Sequence, residues 1–285
     1  MNWMKLTPIY FLISALVIIP GLFSLARYGL KLSIEFTGGT RLTLTQVQSD
    51  SETILAAFKD YSPNVENRSD TSITLKMKTI DQPLAQKQIE SLKEENSEIT
   101  LTDFETIGPA LGQETLKKTL NALLLASVLL LAYISFAFKQ IKYGVCAVLA
   151  MFHDTAVLLG SFSLLGHFAG IEVDLLFVTA VLTILSFSVH DTIVVYDRIR
   201  ELNKKTKGVT YIELINRAVT ETMARSLNNS LTIIFMLLAM FLLGGQSTKY
   251  FSLALLIGTI TGTYSSTFTA APLLVAWEKL PFGKK

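Results

Sequence analysis

The chain has 285 residues, half of them apolar and only 17% charged. A soluble domain of this size carries about 25% charge, so the composition excludes a disordered polypeptide and points to an integral membrane protein. A formal net charge of +2 offers nucleic acid no footprint, and the single cysteine, Cys146, cannot close an intrachain disulfide.

Crossing the bilayer core takes roughly 20 apolar residues in a helix. The first charge-free run, Leu6 to Ala26, has 21. It is longer than the apolar core of a signal peptide, roughly 7 to 15 residues, so it reads as a retained span despite the cleavage-like Ser24-x-Ala26. Residues 28–118 then change to a soluble composition, with ten Lys and Arg against fourteen Asp and Glu.

Within this segment Phe36-Thr-Gly-Gly-Thr40 is read as a tight turn, since no Gly-Lys-Ser/Thr follows to continue a phosphate-binding loop. Thr40 to Val47 alternates as a strand with Leu42 and Leu44 on one face, and Asp50 to Tyr61 is helical through Ile54, Leu55 and Phe58. Val65 to Arg68 and Ser72 to Lys78 form two strands about a Ser69-Asp70 turn. Asp81 to Glu95 is a helix with Pro83 in its first turn, and Ile99 to Thr106 closes the segment as a strand. The order β-α-β-β-α-β predicts a ferredoxin-like α+β domain, a small antiparallel sheet with two helices on one face.

Five further apolar runs follow. Thr119 to Phe138, Ser226 to Thr248 and Tyr250 to Trp277 are free of charge, while Tyr143 to Ile171 is broken only by Asp154 and Leu175 to Tyr196 only by Asp191. The expectation is six transmembrane helices: residues 1–27 hold the first, 28–118 form an extracytoplasmic domain, and 119–285 hold the other five with a cytoplasmic loop at 197–225. Lys5, Lys139, Lys142, the seven basic residues of that loop, and Lys279, Lys284 and Lys285 fall on one side, which makes both termini cytoplasmic. Thr210-x-x-Glu213 is a capping box, and the segment after it, through Ile212, Ile215, Val219 and Met223, is expected as an amphipathic helix on the membrane surface.

An ionisable group at mid-membrane costs at least about 2.5 kcal/mol, so each one needs a partner or water. Asp154, beside His153, lies about 18 Å beyond Lys142, and Asp191 about 24 Å from the external end of its helix. Thr179, Thr183, Ser186 and His190 form a polar stripe beside Asp191 that is expected to face inward. Arg225 leads a second stripe with Asn228, Asn229 and Thr232. An acid whose proton affinity depends on a nearby arginine is the smallest element of a proton relay. Asp191, Arg225, His190 and Asp154 are the candidate relay residues. An anchoring role for Arg225 and a structural hydrogen bond for Asp191 stay open. The two His-Asp pairs could bind a metal, but adjacent helical residues diverge by about 100°, so neither a metal nor any cofactor is expected. Ala254, Gly258, Gly262, Ser266 and Ala270 form a ladder of small residues suited to close helix packing.

These residues resemble the SecF family, the smaller subunit of the SecD and SecF pair, over nearly the whole chain. The likeness rests on Glu35-Phe-Thr-Gly-Gly-Thr40, Phe152-His-Asp154, Ser188-Val-His-Asp-Thr-Ile-Val-Val-Tyr-Asp-Arg-Ile-Arg-Glu201, Thr222-Met-Ala-Arg-Ser-Leu-Asn-Asn-Ser230 and Gly244-Gly245. The resemblance implies a non-enzymatic accessory subunit in the bacterial inner membrane, of the resistance-nodulation-division type, that uses the proton gradient in late steps of protein export. It also implies a SecD-like six-span partner, the Sec translocon channel and the translocating polypeptide as partners, and it ties Asp191 and Arg225 to proton transport. His190 stands where the family commonly has Asn, and Glu35 where it has Asp. A stand-alone proton-coupled exporter of small molecules and a non-conducting membrane scaffold are the alternative expectations.

Overall fold

The computed structural model describes residues 2–47, 51–94, 98–138, 140–206 and 208–279. Asp50, Glu95, Lys139, Lys284 and Lys285, named above as element ends or cytoplasmic cations, lie outside them. In chain order the elements are α1 (Thr7–Tyr28), α2 (Ile34–Thr37), β1 (Gly39–Thr45), α3 (Ser51–Ala57), β2 (Asn64–Arg68), β3 (Ser72–Met77), α4 (Gln82–Lys93), β4 (Thr100–Ile107), α5 (Pro109–Phe138), α6 (Ile141–Ala169), α7 (Leu175–Lys205), α8 (Tyr211–Leu243), α9 (Gln246–Ser265), a π turn (Ser266–Ala270) and α10 (Ala271–Glu278). They fall into two compact units, residues 32–121 and the remainder, with α5 running through the division.

In the 32–121 unit the sheet order is β2-β3-β1-β4, and every pairing is antiparallel. Alternation sends Leu42 and Leu44 of β1 and Ile73, Leu75 and Met77 of β3 to one face. There they meet Ile54 and Phe58 from the α3 segment and Ala85, Ile89 and Leu92 of α4 in one apolar core. Each fully buried Leu or Ile contributes about 1.5–3 kcal/mol. The opposite face is polar: Thr43 bonds Thr74 at 3.2 Å, and Arg41 pairs with Glu66 at 2.8 Å. The helix expected to reach Tyr61 stops at Ala57 and gives way to a 3-10 turn at Lys59–Tyr61. Beyond that turn Ser62, the residue before Pro63, leaves the right-handed helical region with φ 51°.

Gly38 and Gly39 have φ of 72° and 130°, and both are crowded. A Cβ on Gly38 would lie 2.6 Å from the Cα of Pro109, and one on Gly39 would lie 2.7 Å from the carbonyl oxygen of Met77. The pair thus brings the start of β1 against the end of β3 and the first turn of α5.

Among the described residues, five helices are long and apolar enough to cross a membrane: Trp3–Tyr28, Pro109–Phe138, Ile141–Ala169, Leu175–Lys205 and Tyr211–Leu243. The sixth apolar run is divided into α9, the π turn and α10. Pro272 accounts for the division, since its ring and missing N–H disturb the hydrogen bonds of the preceding turn. The helices pack through small residues. A Cβ on Gly160 of α6 would stand 2.6 Å from the Cα of Gly21 of α1, and Gly258 and Gly262 of α9 admit Ile184 and the Ser188 backbone of α7. The ladder on the last run therefore packs α9 on α7.

The expected cytoplasmic loop at 197–225 is almost wholly helical. Helices α7 and α8 extend to Lys205 and from Tyr211, and the amphipathic segment is the first part of α8 rather than a separate surface helix. Its apolar face has a protein partner. Leu214, Ile215, Ala218 and Val219 are buried, and the N-terminal turn docks there through Met4 N to Asn216 Oδ1 at 2.9 Å and Trp3 Nε1 to Thr220 Oγ1 at 3.0 Å. The Thr210–Glu213 capping box is formed.

Candidate functional site

Among the described residues two carboxylates are buried between helices, Asp154 at 1% exposure on α6 and Asp191 at 5% on α7. Each is held by two serine hydroxyls on one oxygen. Asp154 Oδ2 accepts from Ser188 of α7 at 2.5 Å and from Ser265 of α9 at 2.6 Å. Asp191 Oδ2 accepts from Ser226 of α8 and from Ser266 of the π turn, both at 2.6 Å. Ser265 and Ser266 are adjacent in sequence, so one short backbone segment serves both acids.

His153 joins Asp154 directly, its Nδ1 lying 3.0 Å from Oδ1, while its Nε2 lies 2.9 Å from Ser14 Oγ of α1. Its ring stacks on Tyr264, whose hydroxyl donates to the Tyr10 carbonyl at 2.7 Å. The buried hydroxyls of Thr192, next to Asp191 on α7, and of Thr269 in the π turn have no hydrogen-bond partner among the described residues.

The other two candidate relay residues make no hydrogen bond to these acids among the described residues. His190 is exposed, and so are Thr179, Thr183 and Ser186. The stripe expected to face inward therefore faces out of the unit. One helical step of about 100° turns Ser188, Asp191 and Thr192 inward instead, and Thr179 and Thr183 satisfy their hydroxyls on the carbonyls of Leu175 and Thr179. Arg225 is exposed as well, as are Asn228, Asn229 and Thr232. It is the next residue, Ser226, that contacts Asp191.

Arg225 lines an open groove of about 570 Å³ between α7 and α8 with Asp197, Arg198, Glu201, Glu221 and Thr222. Across it Arg198 bonds Glu221 at 2.6 Å and also pairs with Glu201, while Arg217 bonds Glu221 at 2.8 Å. No group of three or more His, Cys, Asp or Glu side chains converges as a metal site among the described residues.

A family model described as protein export membrane protein SecD/SecF, C-terminal, matches residues 87–280, a range that includes both acids and all four serines. The SecD/SecF GG motif matches residues 23–45. The chain belongs to the SecD/SecF family. It is 40% identical to the protein translocase subunit SecF of Thermobaculum terrenum, over 96% of this chain and 92% of that one. Identity to the SecF subunit of Anaerolinea thermophila is 36%, over 95% and 92% of the two chains. Among solved structures, the crystal structure of SecDF from Thermus thermophilus, described as a translocon-associated membrane protein, superposes with a TM-score of 0.86 at 32% identity. That match covers 98% of this chain and 39% of the longer SecDF chain. A second SecDF crystal structure, in a super-membrane-facing form, gives a TM-score of 0.70 over the same share of this chain.

Sequence reasoning located both acids but not their partners. Ser188, Ser226, Ser265 and Ser266 lie in apolar runs where serine is common, and only their clustering about two carboxylates distinguishes them.

Proposed function

We propose that the chain is an accessory subunit of the Sec protein-export machinery, non-enzymatic, in the bacterial inner membrane, and that it uses the proton gradient in late steps of translocation together with a SecD-like partner. The observation that carries the proton reading is Asp191, a carboxylate buried between helices with hydroxyls of Ser226 and Ser266 as its partners. Intramembrane acids of this kind mark proton or ion pathways.

In this reading the chain crosses the membrane six times, with α9, the π turn and α10 as the last crossing. Both termini are cytoplasmic, and residues 28–118 form an extracytoplasmic domain with a ferredoxin-like arrangement that grips the translocating polypeptide beside the Sec translocon channel. Asp191 exchanges its proton with water on the cytoplasmic side, where the groove carrying Arg225, Asp197, Glu201 and Glu221 opens. Arg225 swings toward Asp191 in one state and back into the groove in the other. One charge moving through 100 mV releases about 2.3 kcal/mol, enough to bias a two-state element.

The outward stripes on α7 and α8 support the partner. Thr179, Thr183, Ser186 and His190, with Asn228, Asn229 and Thr232, leave polar side chains uncovered at membrane depth. Such groups face protein or water rather than lipid, and a second set of six helices covers them. His190 then sits in the interface with that partner.

The test is proton conductance and gradient-dependent export by the chain with its SecD-like partner in liposomes. Asp191→Asn abolishes both while the pair still assembles; normal export by this variant refutes the relay.

A further inference from the structure

The shared backbone segment beneath the two acids has a consequence for how they take up protons. Ser265 and Ser266 stand where α9 passes into the π turn, a feature that occurs preferentially at functional sites. Each serine has a second acceptor within reach on its own helix: Ser265 Oγ lies 3.3 Å from the Gly262 carbonyl, and Ser266 Oγ 3.1 Å from that of Thr263. The hydroxyls therefore have two arrangements, on the carboxylates or on the helix. At its far end the turn is held by the Tyr196 hydroxyl, which donates to the Ala270 carbonyl at 3.0 Å.

Resting on the proposed role of Asp191 as the proton carrier, we infer that Asp154 is a second proton acceptor and that Ser265 and Ser266 are positioning residues making the two acids take up protons cooperatively. When Asp191 binds a proton it loses its charge, and the two hydroxyl bonds it accepts lose their charge-assisted strength. Ser266 returns to the Thr263 carbonyl, the turn shifts toward α-helical register, and Ser265 leaves Asp154. A carboxylate that loses a donor takes a proton more readily. The same segment works in reverse when the proton leaves.

The path continues beyond the two acids. From Ser14 of α1 it runs through His153 and Asp154 of α6, Ser265 and Ser266, to Asp191 of α7 and Ser226 of α8, so a proton on either acid is felt by five consecutive packed segments. Titratable side chains tied to this path on the same helices include Tyr264, stacked on His153 and bonded to the Tyr10 carbonyl, and Tyr196, which packs on Tyr143, while Arg225 is exposed on α8.

The sign of the coupling separates this device from simple charge repulsion. Removing the charge of Asp191 through space alone makes Asp154 harder to protonate, whereas release through the serines makes it easier. Carbodiimides modify protonated carboxyls, so labelling of Asp154, mapped by mass spectrometry in liposomes holding the chain and its partner, reads the difference. Asp191→Asn raises the labelling rate at Asp154 by about fivefold or more, the lower end of a coupling between sites. In the Ser265→Ala/Ser266→Ala background labelling is already high and Asp191→Asn adds nothing. Ser188→Ala removes a donor from Asp154 without touching the turn, so Asp191→Asn still raises labelling there.

A fall or no change at Asp154 in Asp191→Asn overturns the proposal, as does a rise that survives in the double serine variant. Normal export by Asp191→Asn with raised labelling sinks the relay and leaves the coupling standing. Lost export with unchanged labelling does the reverse.

Discussion

At the scale of single residues, the glycine pair and the buried acids show opposite relations between side chain and backbone. Gly39 is required for what it lacks. Its φ of 130° is closed to other residues, and any Cβ would press on the Met77 carbonyl. Gly39→Ala is expected to destabilise the chain by about 1–3 kcal/mol, read as a lowered unfolding midpoint in detergent; an unchanged midpoint would mean that the β1 start can move aside. Asp154 and Asp191 matter for what they carry, and the sequence marks them because a lone acid in an apolar run has few bland explanations. Their serine partners carry no such mark. Ser188 lies on the helix of Asp191 yet bonds Asp154 of α6, and no local spacing rule assigns a hydroxyl to a neighbouring helix.

At the scale of elements, local signals set the helix ends well where they are covalent or close in sequence. The capping box closes as Thr210 and Glu213 exchange hydrogen bonds at the start of α8. Thr210→Ala is expected to cost about 1 kcal/mol. Adding Glu213→Ala should cost less than the sum of the two single changes, because the partners act as one unit; full additivity in chemical unfolding would show that the box contributes nothing as a pair. A proline explains one departure from the expected elements, the π turn before Pro272. The extension of α7 and α8 beyond the apolar runs has another origin. Their polar ends are joined by Arg198, Glu201, Glu221 and Arg217, and an apolar face on α8 is covered by the N-terminal turn. Hydropathy registers only the part of a helix that meets lipid, so it underestimates helices that continue into water.

At the scale of the whole molecule, the uncovered polar stripes on α7 and α8 are the feature least compatible with a chain working alone in lipid. With Cys146 replaced by Ala, Thr183→Cys is expected to react with a lipid-soluble maleimide in the isolated chain and to be protected once the SecD-like partner is bound. Equal reactivity in both states would place the partner on another face.

The class of the protein, the strand and helix order of the 32–121 unit, and the two acids that the fold buries were all legible in the sequence, because hydropathy, alternation and isolated charge are local properties. The direction each polar stripe faces was not. The Thr179 to His190 stripe and the Ser188 to Thr192 face differ by about one residue step around the same helix, and which of them turns inward depends on where α9 lies against α7. Only the tertiary structure decided this, through Gly258 and Gly262, whose missing side chains let the two backbones approach. That approach brings adjacent serines onto two different carboxylates, a relation between residues 111 and 75 positions apart along the chain.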